Sequence, residues 1–127
     1  PPAMIHSGAV VRDSLIADGA IIRSGAVVER SVLSPGVHVG PGAHIRQSII
    51  LTDAHIAADA QIEKAVLDKI VRVGERSRIG AKSAAQITTI GKAAKFPPET
   101  VVAPGAEIPA DTRPEAFLTD PLSPTTA

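Results

Sequence analysis

Residues 12–79 read RDSLIADGAIIRSGAVV, ERSVLSPGVHVGPGAHI, RQSIILTDAHIAADAQI and EKAVLDKIVRVGERSRI when broken every 17 residues. In each unit the fifth, eleventh and seventeenth positions are Ile, Val or Leu. They form three ladders: Ile16/Leu33/Ile50/Leu67, Ile22/Val39/Ile56/Val73 and Val28/Ile45/Ile62/Ile79. A helix would place its apolar residues three and four apart, and a hairpin would alternate strictly. Neither pattern fits. Three apolar anchors per fixed period mark a solenoid, whose repeats bury their core only by stacking on one another.

The anchors extend outward from this block. Ile5 and Val11 precede it, and Ala84, Ile90, Phe96, Val102 and Ile108 follow. A small or β-branched residue stands four positions after most anchors, as at Ala9, Ala20, Ala26, Ala43, Ala54, Ala60, Ser77, Ala94, Thr100 and Ala106. Gly19, Gly25, Pro35-Gly36, Pro41-Gly42 and Pro104-Gly105 mark sharp corners. Three short strands per coil satisfy these spacings. At ~3.3 Å per residue a coil is roughly 55 Å around, and about six coils rise on the order of 29 Å. So narrow a prism takes only aliphatic filling, in keeping with two Phe and no Trp or Tyr.

Composition narrows the function. Lys plus Arg equal Asp plus Glu at 13 each, so no strong pull toward nucleic acid or an anionic membrane is expected. Aromatic poverty removes a base-stacking platform. Without cysteine there are no disulfides or thiolate metal sites, which accords with a cytoplasmic protein. No apolar run reaches membrane-spanning length. The chain of 127 residues begins at Pro1 rather than Met, which suggests a piece of something longer.

The anchor-plus-small hexad resembles the hexapeptide-repeat family, and that resemblance implies an all-β, left-handed parallel β-helix; the general crossover rule alone would favour the other hand. Pro1-Pro2-Ala3, RDSLIADGAII, VVERSVLSPGVHVGPGA, AVLDKIVRVGERSRIG and ITTIGKAAKFPPETVVAPGAEIPAD are similar to the carboxy-terminal domain of glucose-1-phosphate adenylyltransferases, the ADP-glucose pyrophosphorylases. The resemblance implies residues 1–4 as a linker remnant, 5–112 as the β-helix and 113–127 as an extended Pro-rich tail. It also implies a non-catalytic assembly and regulatory role in glycogen biosynthesis, with the chain's own catalytic domain and other subunits as partners. The parent would join a sugar 1-phosphate to a nucleoside triphosphate, using Mg²⁺ in that other domain. This chain carries no glycine-rich nucleotide loop and no βαβ alternation, so no catalysis and no cofactor are expected of it alone. A stand-alone hexapeptide acyltransferase or a γ-carbonic-anhydrase-like enzyme is the alternative.

Candidate sites are few. His38 and His55 occupy one position in successive coils, with Arg72 next, and His44 lies at another outward place. Imidazoles so placed suit a metal or an anion, or simply a solvated surface. Arg12, Glu29, Arg46 and Glu63 alternate in charge along one corner, as a cross-coil salt ladder or an anion site would. Leu15, Val32, Ile49 and Val66 each immediately precede an inward anchor and so point outward, with Met4 and Ile21 on a neighbouring face. Stacked aliphatics on an outer face mark an interface.

Overall fold

The computed structural model describes residues 1–114. Short strands in these residues form three six-stranded parallel sheets. Sheet 1 stacks Met4–Ile5, Ile21–Ile22, His38–Val39, His55–Ile56, Arg72–Val73 and Lys95–Phe96. Sheet 2 stacks Val10–Arg12, Val27–Glu29, His44–Arg46, Gln61–Glu63, Arg78–Gly80 and Val101–Val102. Sheet 3 stacks Leu15–Ile16, Val32–Leu33, Ile49–Ile50, Ala65–Leu67, Thr88–Ile90 and Glu107–Ile108. Each coil contributes one strand to every sheet, giving a six-coil parallel β-helix. The first coil takes in the leading residues: Met4 is in a strand, and the Gly19 amide donates to the Pro1 carbonyl. Of the tail expected at 113–127, residues 115–127 lie outside the described residues.

The ladders pack inward. Ile22, Val28, Leu33, Val39, Ile45, Ile50, Ile62 and Leu67 are fully or almost fully buried, and small residues such as Ala26, Ala43 and Ala60 fill between them. Ala84 departs from the expected series. Leu67 pairs with Ile90, not with Ala84. Residues 81–87 instead form a protruding loop between sheets 2 and 3, held where Lys64 Nζ donates to the Ala84 carbonyl at 2.6 Å. Ala is too small to compete for an anchor place when Ile90 lies six residues further on.

The corners obey one rule. In six-residue steps the third residue after the anchor has a positive φ, as at Gly8, Gly25, Gly42, Asp59, Arg76 and Glu99, and again at Gly19, Gly36, Asp53, Ile70, Ala93 and Asp111. In the five-residue step it is the second, at Asp13, Arg30, Gln47 and Lys64. A left-handed residue lets the chain turn within so few bonds, and Gly takes it without a Cβ penalty. Ile70 is the exception by chemistry, a β-branched residue at φ 54 with 41% of its surface exposed. Ile70→Gly relieves about 1–2 kcal/mol of strain, which offsets the roughly 0.5–1 kcal/mol of added unfolded-state entropy and the loss of a half-buried side chain, so stability should fall by no more than about 1 kcal/mol. A loss of about 2–5 kcal/mol in chemical denaturation, as at an unstrained buried isoleucine, would contradict that.

The serine ladder has a structural cause. Ser14, Ser31 and Ser48 each donate to the carbonyl two residues back and accept the amide of the next coil at 3.1–3.2 Å. Ala65 ends the run because it supplies only the amide received by Ser48 Oγ, at 3.2 Å. Ser48 is 2% exposed. Ser48→Ala would leave the Ala65 amide buried without its acceptor, so a loss of about 1–3 kcal/mol is expected in chemical denaturation.

The charged corner forms only in part. Glu29 bridges Arg12 at 3.1 Å and Arg46 at 2.8 Å. Those guanidinium groups, Arg46 foremost, hold its carboxyl below the usual range. The contribution is thus present at neutral pH and lost as pH falls through that depressed value. Glu63 does not extend the ladder. Arg46 Nε already serves Glu29, and Glu63 Oε2 is buried with no hydrogen-bond partner among the described residues.

Candidate functional site

The outer face of sheet 1 carries the column Ile21, His38, His55, Arg72 and Lys95, aligned rung by rung by the strand register. Beside it runs the residue that follows each anchor: Arg23, then Gly40, Ala57 and Gly74. The change from a long side chain to small ones removes volume next to the imidazoles. A Cβ at Gly40 would stand 2.7 Å from the Ala57 carbonyl carbon, so the backbones approach here more closely than a side chain permits. An open notch of about 360 Å³ lies along this column, lined by Arg23, His38, Gly40, Pro41, His55, Ala57 and Arg72 together with the sheet 1 anchors.

His38 and His55 stack face to face, with ring centroids 4.4 Å apart and planes inclined by 7°. Two charged imidazoles at that distance would repel by about 1–4 kcal/mol between the water-like and surface limits. Partial burial, the Arg72 charge and His38 push the His55 pKa down, and Asp53 opposes them. His55 is therefore neutral at physiological pH. The unfolded chain takes up this proton more readily than the folded one, so stability declines as pH drops below about 6.5 toward the depressed folded-state value. Chemically, the notch offers a neutral base between fixed cations.

The structure brings His38, His55 and Arg72 together, as their shared place in the repeat implies. His44 lies apart on sheet 2, between Val27 and Gln61. No cluster of three or more His, Cys, Asp or Glu side chains able to hold a metal ion occurs among the described residues. Arg23 and the small residues were not singled out by sequence, although the switch from Arg to Gly and Ala after successive anchors was visible there.

A second surface lies on sheet 3. Leu15, Val32, Ile49 and Val66 are in register on its outer face, continuing to Thr89 and Glu107. Leu15 is 71% exposed and Ile49 43%. The first coil is open as well: its anchor Ile5 is 52% exposed, against 3% for Ile108 in the last coil. No helix among the described residues is long and apolar enough to cross a membrane.

The family profile described as GlmU-like, C-terminal hexapeptide, matches residues 1–91. The chain belongs to this family. Its left-handed β-helix is the fold described above. No curated protein matches the chain. Among solved structures, a protein described as an acetyltransferase from Desulfovibrio desulfuricans is 24% identical with a TM-score of 0.66, over 83% of this chain and 24% of that one. A variant of GDP-perosamine N-acetyltransferase from Caulobacter crescentus is 19% identical with a TM-score of 0.43, over 88% of this chain and 50% of that one. UDP-N-acetylglucosamine acyltransferase from Campylobacter jejuni is 16% identical with a TM-score of 0.38, over 88% of this chain and 67% of that one. The hexapeptide chain thus spans about a quarter of the length of the first of these structures. At 24% identity the likeness to the first of these is one of fold.

Proposed function

We propose that this hexapeptide β-helix is an assembly domain, joining subunits or neighbouring domains of an enzyme that acts on activated sugars. The observation that carries the reading is the apolar column Leu15, Val32 and Ile49 on the outer face of sheet 3, with the exposed Ile5 of the open first coil as a second uncovered apolar place. Side chains of this size gain about 1.5–3 kcal/mol each when fully buried. A chain with no net charge has little long-range repulsion to keep such surfaces apart. SVLSPGVHVG at residues 31–40 and VLDK at 66–69 favour a nucleotidyltransferase of the ADP-glucose pyrophosphorylase kind as the whole enzyme, cytoplasmic, with Mg²⁺ in its catalytic domain. Sedimentation of the free domain is the test. A defined oligomer is the expected result, and a monomer at the highest attainable concentration refutes self-association.

A second reading, acyl transfer, is favoured by the sheet 1 notch. Neutral His55 could take the proton from an acceptor hydroxyl or amine as that group attacks a thioester carbonyl. The thiol would leave with a proton, and Arg23 and Arg72 would hold anionic parts of the donor or acceptor. Thiol release from acetyl-coenzyme A that depends on an amino-sugar acceptor, and disappears in His55→Ala, would establish this reading. Its absence would leave the assembly role.

A further inference from the structure

We propose that the notch on sheet 1 is a proton-linked oxyanion site, taking a phosphate group with Arg72 as the fixed cation, His38 and His55 as donors, and Arg23 at its far end. The site needs neither subunit assembly nor acyl transfer, and so goes beyond both readings above.

Three observations converge on it. The first is shape. A concavity of about 360 Å³ is in the size range of small-molecule sites. Gly40 and Ala57 line it with nothing larger than a methyl group. The second is charge. The chain as a whole is balanced, yet this face collects Arg23, His38, His55, Arg72 and Lys95. The groups facing His55 are His38 from the coil below, Arg72 from the coil above and Asp53 at its own corner; Asp53 is the one carboxylate acting on it. The third is vacancy of the donors. Arg12, Arg46 and Arg76 are each matched by a glutamate, whereas no described carboxylate pairs with Arg23 or Arg72. No side-chain hydrogen bond among the described residues ties up His38 or His55.

Cations without partners, aligned at one coil spacing of ~4.8 Å, suit an anion of several oxygens. The guanidinium fork matches two phosphate oxygens, and a protonated imidazole donates to a third. The anion reverses the electrostatics of the stack. Without it, Arg72 and His38 oppose a charge on His55; with it, the added negative charge favours that proton. Binding and protonation therefore promote one another, and affinity rises as pH falls.

Sulfate is the direct probe, since it has the tetrahedral oxygens of phosphate but does not titrate near neutrality. Isothermal calorimetry on the whole chain, at constant ionic strength, should show sulfate binding at least about threefold tighter near pH 6 than near pH 8, since a one-unit rise in an imidazole pKa reaches its full tenfold effect only below both pKa values. Heats in two buffers of different ionisation enthalpy should report proton uptake by the protein. Arg72→Gln should weaken sulfate about tenfold or more, and His55→Gln should flatten the pH dependence. Both side chains lie on the outer face, so each variant should melt as the parent does by circular dichroism. Equal affinity at the two pH values, no proton uptake, or an affinity that Arg72→Gln leaves unchanged would each overturn the site. Glycerol phosphate and inorganic phosphate then separate a monoester ligand from the free ion by which binds more tightly. Ile49→Lys should leave sulfate affinity untouched, so the site and the assembly reading fail independently.

Discussion

Ile45→Asp should abolish the cooperative unfolding transition of the native chain. Ile45 is fully buried in the middle of sheet 2, between Val28 of the coil below and Ile62 of the coil above. A carboxylate there meets only aliphatic neighbours. It must either protonate or remain charged without a partner, and each course costs several kcal/mol. Typical domain stability is about 5–15 kcal/mol, and the variant also forfeits the transfer energy of the isoleucine and leaves a cavity. Solenoids add a further penalty. Stability is shared between neighbouring coils, so a failed middle coil uncouples those on either side. The measurement is thermal unfolding followed by circular dichroism. A single transition at the parental midpoint would show that Ile45 does not face the interior.

Such a forecast rests on features already legible in the sequence. The anchors declare themselves because stacking demands the same inward residue at the same place in every coil, and Ile22, Val39 and Ile56 obey that demand directly. Ala84 misled for a physical reason. A period continues on paper after the chain has left it, and the six extra residues that carry it into the 81–87 loop shift the next anchor to Ile90. The serines were visible as a repeat, but their cause lies in hydrogen bonds between coils that adjacency along the chain does not reveal. The candidate site was half legible. His38, His55 and Arg72 share a phase and so had to stack, whereas the notch depends on what is missing beside them. Small side chains at Gly40 and Ala57 read as filler until the fold puts them next to the imidazoles. The alternating corner charges promised a longer salt ladder than forms, since one glutamate can occupy both neighbouring arginines and leave the next glutamate without one.

Ile49→Lys should dissociate the assembly while leaving the β-helix folded. Ile49 is 43% exposed at the centre of the aliphatic column, with Val32 and Val66 as its immediate neighbours across the sheet. Its inward neighbour Ile50 is fully buried, so alternation along the strand aims Ile49 at whatever covers sheet 3. Folding stability should change by no more than about 0.5 kcal/mol, as for other surface substitutions. Association should change far more. The variant loses about 1.5–3 kcal/mol of apolar burial per covered copy, and it would force an ammonium into the centre of an apolar contact. At 1.4 kcal/mol per tenfold, the dissociation constant should rise at least about tenfold, and well beyond that where two copies of the column meet. Equilibrium sedimentation of both proteins, paired with their melting curves, reads the two effects separately. A variant that unfolds would place Ile49 on the inner side of its strand. One that stays folded and associates with parental affinity would show that sheet 3 is not the face through which these chains meet.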